Sequence, residues 1–487
     1  MAEIGALIHD LGKLSEEFVE SKSEGSNKEF PHHLILRRFI SGNDPYVAPG
    51  NSIKDVVLFF LNNYNFDQLP LKDSSELNNT LNNIKKELQN NSKQNRLKSD
   101  FWKEFSIIQG NLQKGKPNNM QSDIEAVFSK IRGKIKDKLK NQIKGEKLIS
   151  TNFVDNTLKE ILIGNWKDNF YLPFVNQKEQ LNNFADFIEM HHKTWHFELP
   201  FLVKLLKAPP GCDGVDSGID KGTPARKQSL KETYISTAFG YEKDKIDLSK
   251  LAYHRNEFCN VLADELQKVI DEKNKNGDVE NIIIEARNKI LDAARKHFPK
   301  ALGETRRAAN DVTLWDHSYS VASLYKAALA GILIEYESSS DKQNYKLPDP
   351  KGMKWRILYI NFDGLEFINK GLKIGDIRGR KAILDKTLDE VRKLVEVDFP
   401  IGNEIYRDEN GIYFVVPDFK NDLETKFETS LTRKIVDIFQ CKKKLEGEII
   451  PNIEISSKPS RSLTTLAKYI DNAKNISSSV NSVEKPK

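Results

Sequence analysis

Histidines and aspartates are the residues in this chain with the most chemistry to offer, and their spacing is uneven. His9 stands beside Asp10 in IHDLGK, His32 beside His33, and His191 beside His192, with His196 one helical turn further on. Downstream, CDGVDSGIDK supplies Asp213, Asp216 and Asp220. Imidazole nitrogen and carboxylate oxygen together suit a divalent transition metal such as Mn, Fe, Co, Ni or Zn, provided several of them converge. Taken singly, each doublet reads as a capped or hydrogen-bonded histidine. Taken together with His9-Asp10-x-Gly12-Lys13, they favour a metal centre.

Such a centre needs several elements, each carrying a ligand inward. Ile4, Leu7, Ile8 and Leu11 form an apolar stripe, and HHLILRRFI follows from His32, so residues 1–40 read as helical. Residues 71–98 are rich in Asn and Lys and offer little core. Val127, Ile131, Ile135, Leu139 and Ile143 recur every fourth position among Lys and Arg. That pattern predicts a solvated surface helix packed by one stripe, with a nucleic-acid or partner surface as the alternative. From 181 to 345 the pattern is again helical, broken by APPGCDGVDSGIDKGTP. From 346 to 475 it changes: WRILYINF reads as a strand, LDKTLDEVRKLV as a helix and EIYRDENGIYFVVP as two strands joined by a turn. LETKFETSLTRKIVDIFQ adds a helix and IIPNIEISS a last strand, giving the β-α-β-β-α-β order of a split βαβ, ferredoxin-like domain. SSSVNSVEKPK reads as a disordered tail.

Composition bounds the class. At 487 residues, with 38% hydrophobic and 30% charged, the chain is long enough for several globular domains. It carries no apolar run of the roughly 18 residues a spanning helix needs, so no membrane partner is expected. The first residues lack a signal-peptide layout, which points to the cytoplasm. Three cysteines, at 212, 259 and 441, are too few and too scattered for a disulfide framework or a four-thiolate zinc site. A net charge of +5 permits a nucleic-acid partner without arguing for one.

The order IHDLGK, a helix opening on histidine, His191-His192, then CDGVDSGIDK resembles the permuted HD nuclease domain of the large subunit of type III CRISPR effector complexes, closest to the Csx-eleven branch. That family's closing element has the form Ala-Asp-x-x-Ala-Ser-Gly-x-Asp; laid over it, Asp213 takes the ligand position and Ser217, Gly218 and Asp220 the trailing part. ETRRAANDVTLWDHSYSVASLYKAALAG is similar to the segment preceding the family's first Palm domain, with its Thr-Arg and Trp-Asp-His-Ser. The resemblance implies a metal-activated water attacking a phosphodiester of single-stranded DNA. His9, Asp10, Asp213 and members of the pairs His32/His33 and His191/His192 would hold Mn, Ni or Co, and Lys13 would meet a phosphate as a point charge.

The 346–475 segment resembles a degenerate Palm, the fold of nucleotide cyclases. Where an active Palm has a metal-binding Asp on its first strand, INFDGLE places Asn361, with Gly364 matching the family's glycine. Where it has an acidic hairpin pair, counting back from IYFVVP reaches Asn410 and Gly411. A Palm so altered would be non-catalytic, a wall for a pocket whose metal lies on a second Palm. Asp363, Gly364, Asp408 and Glu409 are the candidate nucleotide-binding residues, ATP the candidate ligand, and Arg378, Arg380 and Lys381 the nearby cations.

The expected architecture is therefore α+β. An HD-type domain is built from 1–40 and 181–235, with 41–180 as a polar helical insertion and 236–345 as a helical connection. The Palm follows over 346–475 and the tail over 476–487. The resemblance covers the N-terminal portion of such a subunit. Its expected partners are the CRISPR RNA-containing complex and its small subunits, single-stranded DNA, and a second Palm-bearing chain. The competing expectation is a free-standing HD phosphohydrolase with a nucleotide-sensing, degenerate cyclase domain.

Overall fold

A computed structural model of the protein describes residues 1–23, His32, parts of 166–218, residues 234–235, and 244–483 with short gaps. The 71–98 and 127–147 stretches, His33, His196 and Asp220 lie outside the described residues. The chain divides into two compact units, one of residues 1–28, 155–191 and 195–487, the other of 29–154 and 192–194.

The first unit begins with α1 (Ala2–Leu7), a short 3₁₀ turn (Leu11–Lys13) and α2 (Glu16–Lys22), the last capped by Ser15, whose side chain accepts from the Phe18 N–H. It continues through α3 (Phe184–Met190), α4 (Phe201–Lys207) and α5 (Cys212–Asp216). A two-strand pair follows, β1 (Tyr234–Ile235) with β2 (Asp244–Lys245), and then the long helices α6 (Leu248–Asn274), α7 (Val279–His297) and α8 (Leu314–Ser338). Helix α8 opens on a capping box: Thr313 Oγ1 accepts from the Asp316 N–H while the Asp316 carboxylate accepts from the Thr313 N–H.

The rest is a four-stranded antiparallel sheet with helices. Its elements are β3 (Trp355–Asn361), α9 (Gly364–Asn369), α10 (Ile374–Lys393), a π-helical turn (Leu394–Asp398), β4 (Asn403–Asp408), β5 (Gly411–Pro417), α11 (Asn421–Phe439) and β6 (Asn452–Ile455). The strand order is β4-β5-β3-β6, with the first strand between the third and the fourth. Strand alternation divides the side chains. Leu358, Ile360, Ile412, Phe414 and Val416 pack against Leu384, Leu388 and Val391 of α10 and Leu431, Ile435 and Phe439 of α11. The other face is covered too: Trp355 Nε1 donates to the Leu324 carbonyl of α8, and Gly331 of α8 lies so close to Pro417 that a Cβ there would sit 2.6 Å from the proline ring. Burial on both faces explains why β3 and β5 read as continuous apolar runs.

The sequence reading ended its folded part near residue 475, after a last strand. The structure instead has a helix, α12 (Leu463–Val483), that lies along β3 and runs into the segment expected as a tail. Its apolar positions Leu466, Ile470 and Ala473 are spaced at three and four residues, a helical stripe hidden by the Ser- and Asn-rich sequence around it.

One buried polar network ties the N-terminal helix to the sheet. The Arg287 guanidinium of α7 donates to Glu3 of α1 at 2.7 Å through both Nε and Nη2, and Nη2 also reaches Glu396 of the π-helical turn at 3.1 Å. Asn403 of β4 donates to Glu3 and accepts from Lys326 of α8, whose ammonium also bonds the Glu396 carbonyl. A buried ion pair of this kind fixes relative placement more than it adds stability.

Candidate metal centre

His9 and Asp10 do not lie on a helix. Helix α1 ends at Leu7, and the pair occupies the turn between it and the 3₁₀ turn. Neighbours on a helix would point about 100° apart; the break lets both side chains face inward. Helix α1 is held against α3 by Gly5, where a Cβ would sit 2.9 Å from the Phe187 ring. His191 follows the end of α3, Asp213 lies in the first turn of α5, and His317 in the first turn of α8.

These five residues, all buried, converge. His9 Nε2 lies 3.4 Å from Asp10 Oδ2, His191 Nε2 3.6 Å from Asp10 Oδ1, and His317 Nε2 3.0 Å from Asp10 Oδ2 and 3.8 Å from Asp213 Oδ1. Donor atoms of His9, Asp213 and His317 all lie within 4.8 Å of one another. Ligands about 2.0–2.2 Å from one ion stand roughly 3–4 Å apart, so the carboxylate–imidazole separations fit a shared cation.

The rings are oriented from behind. His9 Nδ1 donates to the Ala6 carbonyl at 2.6 Å, His191 Nδ1 to the Ile188 carbonyl, and His317 Nδ1 to the Asp216 carboxylate at 2.6 Å. Each bond leaves Nε2 as the nitrogen facing the centre, the outer-shell arrangement metal-binding histidines use. His9 Nε2 is buried and has no hydrogen-bond partner, a cost that a cation would relieve.

Charge is distributed to match. Burial pushes His9 down to about 3, so its ring is neutral and can ligate. Burial and Lys13 disfavour the charged form of His317, but hydrogen bonds to Asp10 and Asp216 override them and raise it to about 10. Burial works to raise Asp213, and the Lys207 ammonium, the largest opposing influence, holds it below the usual carboxylate range.

Two lysines complete the surroundings. Lys13 Nζ donates to the Gly303 carbonyl at 2.6 Å and pairs with Asp10 at 2.7 Å, with only 13% of its side chain exposed. Gly303 is fixed by close approach, since a Cβ there would meet the Thr313 carbonyl at 2.4 Å. Lys13, expected at a phosphate, thus braces Asp10 against the start of α8. Lys207 Nζ pairs with Asp213 Oδ2 at 2.6 Å.

Of the expected ligands, His9, Asp10, His191 and Asp213 are brought together. His32 and His192 belong to the other compact unit, where their Nε2 atoms are 2.9 Å apart. His317 joins the centre from outside the expected set. Its signal was available in the Trp315-Asp316-His317-Ser318 run, but a single histidine on a long apolar helix has no ligand spacing of its own.

The second set of expected residues lies around the β4–β5 hairpin. Asp363 caps α9 by accepting from the Glu366 N–H at 2.9 Å. Gly364 passes so near the hairpin that a Cβ would collide with the Glu409 carbonyl. Asn361 and Asp408 are both paired with Gly411 across the sheet. Helix α12 covers that row: Asn361 Nδ2 donates to the Ala473 carbonyl, and Lys474 pairs with Asp408 at 2.9 Å. Glu409 faces Lys381 at 3.5 Å, and Arg380 pairs with Glu448.

No protein-family model matches the chain, and neither does any curated protein. Among the described residues, no helix is long and apolar enough to cross a membrane.

Proposed function

We propose that the protein is a metal-dependent phosphodiesterase of the HD type that cuts single-stranded DNA, acting as the large subunit of a type III CRISPR effector or as its N-terminal part. The observation that carries this reading is that His9, Asp10, His191, Asp213 and His317, from four separate stretches of chain, come together in one buried cluster. These five would hold Mn, Ni or Co. The ion, when bound, would lower the pKa of a water and stabilise charge on phosphoryl oxygens. The protein's own contribution is orientation: Ala6, Ile188 and Asp216 fix the imidazole tautomers, and Lys13 fixes Asp10. Burial of the ligands keeps bulk water from competing for the carboxylates.

The sheet domain, in this reading, is a ferredoxin-like Palm that does no chemistry. Asp408, the carboxylate in the Asn361–Gly411 row, is already matched by the Lys474 ammonium. The domain's role would be to support a second, catalytic Palm in making cyclic oligoadenylate, with ATP as the ligand and the CRISPR RNA-containing complex as the assembly.

The test is cleavage of a single-stranded DNA oligonucleotide with Mn²⁺, Ni²⁺ or Co²⁺, by wild type and by the double variant His9→Ala, Asp10→Ala. Cleavage should be lost in the variant while its circular dichroism is unchanged. Undiminished cleavage by the variant would refute the assignment.

A further inference from the structure

The two lysines that touch the centre's carboxylates are not equivalent. Lys13 is braced on two sides, by the Asp10 carboxylate and the Gly303 backbone carbonyl, and is nearly closed off from solvent. Lys207 ends helix α4 and has 29% of its side chain exposed, while its partner Asp213 has only 7%. It donates to Asp213 Oδ2 at 2.6 Å. Lys207 is therefore the more exposed of the two lysines that touch the centre's carboxylates.

Lys207 holds Asp213 Oδ2, while Oδ1 is the oxygen nearest His317, at 3.8 Å. A divalent ion bound to Asp213 draws on the same carboxylate charge that holds Lys207, and two cations crowd each other at this range. A flexible four-carbon stem lets a lysine ammonium swing to another anion without backbone movement. In a phosphodiesterase, the anion that comes to such a centre is the phosphodiester itself. We propose that Lys207 is the substrate-positioning cation: it caps Asp213 until a metal arrives, then turns to a backbone phosphate of the bound strand. This rests on the metal-dependent phosphodiesterase reading above. Lys13, by contrast, remains a brace in both states.

Opposite effects on metal and substrate separate this from a structural role. With the full chain, Mn²⁺ binding is measured by titration calorimetry without DNA, and KM and kcat are measured on a single-stranded DNA oligonucleotide. Lys207→Gln should bind Mn²⁺ about tenfold more tightly, because a competing charge-assisted bond is gone. The same variant should raise KM for DNA about tenfold with kcat changed less than threefold, and Lys207→Arg should restore KM. Weaker Mn²⁺ binding in Lys207→Gln would show that Lys207 merely holds Asp213 in place and would overturn the proposal. Unchanged Mn²⁺ affinity together with unchanged KM would overturn it as well, leaving Lys207 a rim residue. Failure of wild type itself to take up Mn²⁺ would remove the metal reading and this proposal with it.

Discussion

His317 donates its Nδ1 proton to Asp216 at 2.6 Å, and this bond turns Nε2 toward Asp10, 3.0 Å away. A carboxylate behind a ligand histidine fixes both tautomer and ring angle, and its loss typically weakens metal binding by about 10–100-fold. Asp216→Ala should reduce Mn²⁺ affinity by that order in a calorimetric titration, and His317→Ala should reduce it further. An Asp216→Ala variant with wild-type affinity would mean that His317 does not face the ion.

The Glu3–Arg287 pair should make stability depend on acid. Burial disfavours the Glu3 carboxylate, but Arg287 and Lys326 hold its pKa far below the usual range. In the unfolded chain the group titrates near its ordinary value, about 4.3. Its contribution is thus present above about pH 5 and is lost as pH falls through that value toward the lower folded one. Glu3→Gln should cost about 3 kcal/mol at pH 7, since it removes the carboxylate that Arg287 holds through two nitrogens and leaves the buried guanidinium with the more distant Glu396 carboxylate. Urea midpoints at pH 7 and pH 4 should differ less in the variant than in wild type.

Thiol labelling offers a test of the core. Cys212 and Cys259 are buried, and burial pushes the Cys259 thiol up to about 12 and the Cys212 thiol higher still. A neutral, enclosed thiol is a poor nucleophile. Cys441 is partly exposed. The native protein should therefore label one cysteine quickly at pH 8, and all three only after denaturation. Rapid labelling of two or more would place α5 or α6 wrongly.

The sheet domain should not turn over ATP by itself. Joining nucleotides through a 3′-hydroxyl requires carboxylate-held metal at the reacting phosphate, and the row Asn361–Gly411–Asp408 carries one carboxylate, matched by Lys474. Incubating the chain with ATP and Mg²⁺ or Mn²⁺ should give no linear or cyclic oligoadenylate. Product that disappears in Asp408→Ala or Asp363→Ala would show a working site built on those residues.

Local patterns in the sequence were enough to specify several of the elements seen among the described residues. The apolar runs of β3 and β5, the Asp-Glu-Asn-Gly hairpin and the helices α10 and α11 were legible because strand alternation, turn residues and helical periodicity are properties of neighbouring residues. His9, Asp10 and Asp213 were legible because their types suit a cation and their motifs are compact. Tertiary structure decided the rest. It joined His191 and His317 to the centre, set Lys13 against Gly303 and Lys207 against Asp213, and it laid α12 over Asp408. Ligation and charge pairing depend on which side chains meet across segments far apart in the chain. A helix such as α8, whose single histidine looks like any other in an apolar run, gains its chemistry only when folding brings Asp10 and Asp216 to either side of that ring.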